Sequence, residues 1–191
     1  MIHLIHGIHT PLADPEVKGL IPYLPGPVLY PDYGWIAAVE SRRINPAIVG
    51  TLAPYIAPGD ILVGHSNGCA IIYGLLLSGV RCAGLVLIDG ALTQTPTFPE
   101  WVKWVHCYYN EGDDITEVAK AAEEVFLSPV DPNWGAMGHG GYLGTDGRVK
   151  NFDCAHTPNM PVVNGHSAIF EPANLPAWGA FIGHSITLAG A

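Results

Sequence analysis

This chain is short of charge. Only 13% of its 191 residues are Asp, Glu, Lys or Arg, and 8 cations face 17 anions, for a net charge of −9. So few cations cannot neutralise a phosphate backbone or hold an anionic bilayer, which argues against nucleic acid and membrane surfaces as partners. Cysteine is sparse as well. Cys69, Cys82, Cys107 and Cys154 show no C-x-x-C spacing and lie in apolar stretches, so they read as reduced core residues. Long apolar runs are missing: the longest uncharged one, 69–80, is too short to span a bilayer. The first strand begins at Met1 or Ile2, leaving no room for a signal peptide, so the expectation is a soluble, cytoplasmic protein. Repeats, charge runs and low-complexity linkers are also lacking, and 1–191 reads as a single domain long enough for a full core.

Apolar residues, at 49%, are abundant, and most elements are therefore expected to be buried on two sides, as in a sheet covered by helices. Strands are predicted at 2–5, 27–31, 60–64, 83–88, 102–109 and 148–153. Helices are predicted at 14–24, 35–56 (one or two, interrupted at Pro46), 67–78, 115–126 and 173–188. This alternation predicts an α/β fold: a mostly parallel sheet of about six strands with helices on both faces. Function in such sheets collects at the carboxyl ends of the strands.

One pentapeptide at such an end carries chemistry. Gly64-His65-Ser66-Asn67-Gly68 sets a serine between two glycines where the strand 60–64 meets the helix 67–78. Strand and helix backbones nearly touch at so sharp a turn, which is the mechanical need for the glycines, and the turn is expected to leave the hydroxyl exposed. With 6 serines and 23 glycines in the chain, chance supplies roughly 0.1 matches to G-x-S-x-G. Gly-His-Ser occurs three times, yet only this copy has the second glycine and the strand–helix setting.

A serine hydroxyl is a poor nucleophile until a base takes its proton. Of nine histidines, His3 and His106 lie within strands, and His65 is expected to point away from Ser66 along its strand. His166 is the preferred base, on the loop before the last helix, with His156 and His139 behind it. The acid that holds the base's tautomer is sought in Asn110-Glu111-Gly112-Asp113-Asp114. Asp114 stands three residues before Glu117 at the head of a predicted helix, which is capping-box spacing, so Asp113 is the preferred acid. Asp114 remains the alternative, since one residue of register exchanges the roles, and Asp89 stands behind both. Oxyanion donors are expected from the backbone N–H of Asn67, at a helix start, and of Ile8, oriented by the His6-Gly7 pair. His3, His6 and His9 cannot converge on a metal, because a spacing of three on a strand alternates faces, and no metal site is expected.

In these motifs and their order the chain resembles the α/β-hydrolase superfamily, in its group of small esterases and lipases. The resemblance spans nearly the whole chain, from the His6-Gly7 loop through the elbow at 64–68 to Asp113 and His166. It implies a Ser–His–Asp hydrolase with no metal or organic cofactor. The chain departs from the full pattern by starting at what would be the family's third strand, so it is similar to minimal, lid-less versions. The 90–101 connection is too short for a lid domain, which suits short or accessible esters. Pro96, Phe98, Pro99 and Trp101 on it either wall the pocket or simply pack. The Gly-rich segment 128–147 is expected to be remote from Ser66 unless it folds back. Carboxylester hydrolysis is the leading expectation. Amide or thioester hydrolysis and hydroxynitrile lysis are the alternatives on this scaffold, the last because 166–170 loosely resembles the plant lyase and methylesterase branch. A non-catalytic binding module ranks behind them.

Overall fold

A computed structural model describes residues 1–8, 15–34, 40–114 and 133–190. The strands β1 (Ile2–Ile5), β2 (Val28–Leu29), β3 (Ile61–His65), β4 (Gly84–Ile88), β5 (Trp104–Tyr109) and β6 (Val149–Asp153) form one sheet. Their order is β2-β1-β3-β4-β5-β6 and every pair is parallel, so the α/β architecture with six strands holds. The described helices are α1 (Pro15–Lys18), α2 (Ser41–Leu52), α3 (Asn67–Leu77), α4 (Met137–Gly140) and α5 (Leu175–Ala189). The helix predicted at 115–126 lies outside the described residues, as does part of the stretch 35–56.

Period-two alternation divides each central strand between two apolar layers. Leu62, Leu85, Leu87, Val105 and Cys107 pack toward Ile48 and Leu52 of α2 and Ile72 and Leu75 of α3. Val63, Val86, Ile88 and Tyr108 pack toward Trp178, Ile182 and Ile186 of α5. Burying each such aliphatic or aromatic side chain stabilises the fold by about 1.5–3 kcal/mol relative to leaving it exposed. All four cysteines are buried and unpaired. His65 continues the register of Val63 and faces the α5 side.

Two local expectations change. Pro46 does not interrupt its helix; α2 runs through it. The proline lies on the exposed side, where the Arg42 carbonyl it leaves unbonded can meet water. The loose helix at 14–24 is, in its described part, the single turn α1 followed by a 3-10 turn at Ile21–Tyr23. Among the described residues no helix is long and apolar enough to cross a membrane.

From β1 the chain moves outward to β2, then returns across β1 to β3 and builds the other half of the sheet. The reversal places a topological switch point between β1 and β3, where the loops on either side diverge and leave a crevice. The loops leaving these two strands carry His6-Gly7-Ile8 and Ser66.

Candidate active site

Ser66 sits on a strained turn. It caps α3 with φ 55° and ψ −127°, a conformation that non-glycine residues adopt only when the surroundings impose it. Three backbone bonds do so here. Ser66 N–H donates to the Ile88 carbonyl at 3.1 Å, and the Ser66 carbonyl accepts from Cys69 N–H at 3.0 Å and Ala91 N–H at 3.1 Å. The glycines are required by contact. A Cβ on Gly64 would lie 2.7 Å from Ile72 Cδ1, and one on Gly68 would collide with the Ile5 carbonyl and approach the His6 carbonyl to 2.8 Å. Contrary to expectation the serine is buried, only 5% exposed, because the loop after β1 closes over it. Gly7 approaches so near that a Cβ there would stand 2.8 Å from Ser66 Cβ and 3.3 Å from its Oγ.

That loop is held from beneath. His6 Nδ1–H donates to the Gly7 carbonyl at 2.9 Å, and its ring stacks on Tyr33 at 3.9 Å and 11°. Tyr33 in turn donates its hydroxyl to the His6 carbonyl at 2.6 Å. Burial lowers the pKa of His6 and raises that of Tyr33, so both work as neutral hydrogen-bonding groups. Across the trans Gly7–Ile8 peptide, fixing the carbonyl on His6 turns the Ile8 N–H to the opposite side. Asn67 is the first residue of α3, where a backbone N–H has no intrahelical acceptor. Its fully buried side chain exchanges two bonds with Asn45 of α2, at 2.9 and 3.0 Å, and accepts a third from Trp134 Nε1 at 2.9 Å.

Of the candidate acids and bases, the structure brings Asp113 and His166 together. His166 Nδ1–H donates to Asp113 Oδ1 at 2.8 Å, and the Asp113 side chain is wholly buried. Asp114 is 77% exposed and lies 3.9 Å from His139 Nδ1. His156 bonds Asp153 at 3.0 Å, away from this cluster. Asp89 bonds Asn110 at 3.0 Å, with burial and then the nearby Asp113 raising its pKa. Ser66 and His166 are not themselves hydrogen-bonded among the described contacts. His65, next to Ser66 in the chain, has its ring 4.9 Å from that of His166 and donates Nε2–H to the His166 carbonyl at 3.1 Å. His65 is therefore a support for the histidine loop, wedged between it and Phe170. Burial and the neighbouring His166 lower its pKa to about 3, so it stays neutral.

The segment 133–143 folds back instead of staying at the far edge. Met137 and Gly138 donate to the Leu92 and Gly90 carbonyls, each at 3.0 Å, and Thr93 donates to Asn133 at 2.8 Å. These bonds lay α4 over the carboxyl ends of β4 and β5 and deliver Trp134 to Asn67, beside the serine. The connection 90–101 is pinned at its far end, where Arg148 donates to the Phe98, Pro99 and Val102 carbonyls. Phe98 is buried against Tyr73 and Tyr142 and belongs to the packing.

No family model matches the chain, and no curated protein sequence matches it. Among solved structures it is similar to one described as the pyrethroid hydrolase PytH with BIF, at a TM-score of 0.45 and 15% identity, over 99% of this chain and 96% of that one.

Proposed function

We propose that the chain is a serine hydrolase that cleaves carboxylic esters through an acyl-enzyme. The reading rests on one conjunction: a serine strained to φ 55° at the switch point, with a buried aspartate after β5 bonded to a partly buried histidine on the loop that follows β6. Ser66 is the nucleophile. Its Oγ adds to the ester carbonyl while His166 Nε2 takes the proton, the contact between them closing when substrate binds. Asp113 holds His166 in the Nδ1–H tautomer and stabilises the imidazolium. The N–H groups of Asn67 and Ile8 receive the oxyanion, and each such donor contributes about 10²–10³ in rate. Collapse of the tetrahedral intermediate breaks the ester C–O bond, and the alcohol leaves with the proton from His166. Water then attacks the acyl carbonyl, losing its proton to His166, and the acid departs as Ser66 recovers that proton. Neither metal nor organic cofactor is needed at any step.

Ser66→Ala should abolish hydrolysis of nitrophenyl acetate and block the mass increase that a fluorophosphonate produces in the wild-type chain. Normal turnover in the alanine variant would refute the reading. A panel of ester, thioester and amide substrates, with acyl groups from acetate to palmitate, identifies the class. Short esters are expected to lead, because the 90–101 connection is tethered and offers no domain to sequester a long chain.

A further inference from the structure

The base is only as well placed as the loop that carries it, and that loop is gripped by a residue outside the triad. Asn110, fully buried at the end of β5, bonds the Gly165 residue on both sides: its Oδ1 accepts from Gly165 N–H at 2.8 Å, and its Nδ2 donates to the Gly165 carbonyl at 3.3 Å. The second Nδ2 hydrogen goes to Asp89 Oδ1 at 3.0 Å. The Asn110 carbonyl accepts from Asp113 N–H at 3.1 Å and so forms the turn that presents the acid. One residue thus holds the acid by its backbone and the histidine loop by its side chain. The two loops also interlock, because a Cβ on Gly112 would collide with the Asn164 side chain. Gly165, at φ +130°, takes a conformation that L side chains rarely adopt, so glycine is required there.

We propose that Asn110 is a positioning residue: its carboxamide clamps Gly165 and so sets His166 against Asp113. The proposal rests on the hydrolase reading above. Asp89 is the fixed end of the clamp. Burial and its neighbour Asp113 favour its protonated form, and its Oδ1 accepts the Asn110 bond in either form. Exchange of Asn110 by a residue without the amide frees the Gly165 peptide and lets His166 drift. A misplacement of about 1 Å costs a catalyst about 10²-fold in rate.

The test uses Asn110→Ala and Asn110→Asp in the full chain. The aspartate keeps the shape and the acceptor for Gly165 N–H but loses both donated bonds. In either folded variant kcat against the best ester should fall by about 10²-fold with KM within about threefold of wild type, as expected for a group that places the base and does not touch substrate. The rate of fluorophosphonate labelling of Ser66 should fall in parallel. The downfield proton resonance of His166 Nδ1–H on Asp113, sharp in the wild type, should broaden or vanish. Wild-type kcat with an intact resonance in either variant would overturn the proposal. Failure of both variants to fold would do so too, by assigning Asn110 to the fold and not to the loop. If the wild type neither turns over esters nor labels, the hydrolase reading fails by itself, while the resonance still decides whether Asn110 places His166.

Discussion

Asp113→Asn and Asp114→Asn separate the candidate acid from its neighbour with the smallest possible change, an oxygen for an NH2. At 113 the change strikes a wholly buried carboxylate 2.8 Å from His166 Nδ1. If the amide oxygen faces the ring, the bond survives but the charge that stabilises the imidazolium is gone. If the NH2 faces it, the ring must take the Nε2–H tautomer, and Nε2 can no longer accept the Ser66 proton. The analogous substitution in serine proteases lowers kcat by about 10⁴, equivalent to about 5.4 kcal/mol of transition-state stabilisation. A loss of that order is expected here, with KM little changed. At 114 the side chain is 77% exposed, water screens its charge, and kcat should stay within about threefold of wild type. Initial rates on nitrophenyl acetate, with thermal melts to verify folding, give the comparison. Comparable losses in the two variants, or an Asp113→Asn enzyme within tenfold of wild type, would refute the assignment.

Gly68→Ala should be among the most damaging single-methyl changes in the chain. Its Cβ would collide with the Ile5 carbonyl, so β1 and α3 must separate; about 1–3 kcal/mol of stability and much of the activity should be lost, read from urea unfolding and initial rates. Normal stability and rate would show that the elbow has slack. At the opposite end of the sheet, burial alone would raise the pKa of Asp60, but the Ala57 N–H, the N-terminal ammonium and His3 together hold it near 2, below the ordinary 3.8. A lowered folded-state pKa stabilises above the unfolded value and is lost as pH falls through the folded one. The melting temperature of wild type should therefore exceed that of Asp60→Asn near neutrality, and the gap should shrink from about pH 4 down through about pH 2. A gap independent of pH would contradict this linkage.

What could be read from the chain was what local pattern encodes. The G-x-S-x-G turn and the strand and helix on either side of it depend on neighbours within a few residues. The capping argument for Asp113 over Asp114 uses a helix outside the described residues, and what the structure adds is that Asp113 lies against His166. Contacts between residues far apart in sequence were not legible. Trp134 reaches Asn67 across 67 positions, Asn110 reaches Gly165 across 55, and His65 reaches His166 across 101. No periodicity announces such pairs, and topology misleads for 133–143, because long-range bonds to Gly90, Leu92 and Thr93 turn that segment back. The burial of Ser66 has the same origin: the elbow predicts its own turn but not the Gly7 loop that covers it.

The shortage of charge noted at the outset returns at the site as a design constraint. A chain with 8 cations has few available for ion pairs, and the braces around Ser66 are neutral groups. Asn45 with Asn67 and Trp134 braces the elbow, Tyr33 with His6 braces the loop after β1, and Asn110 with His65 braces the histidine loop. Neutral hydrogen bonds of this kind contribute about 0.5–1.5 kcal/mol each when made, but leaving a buried partner empty costs about 1–3 kcal/mol. Their value is therefore in specifying one arrangement more than in adding net stability. None of these braces depends on a lysine, an arginine or a charged histidine. Screening by salt acts on charges, not on such bonds. If Ser66 and His166 act as proposed, the rate of ester turnover should therefore change little with ionic strength, and a steep loss of kcat in salt would contradict a site braced by neutral bonds.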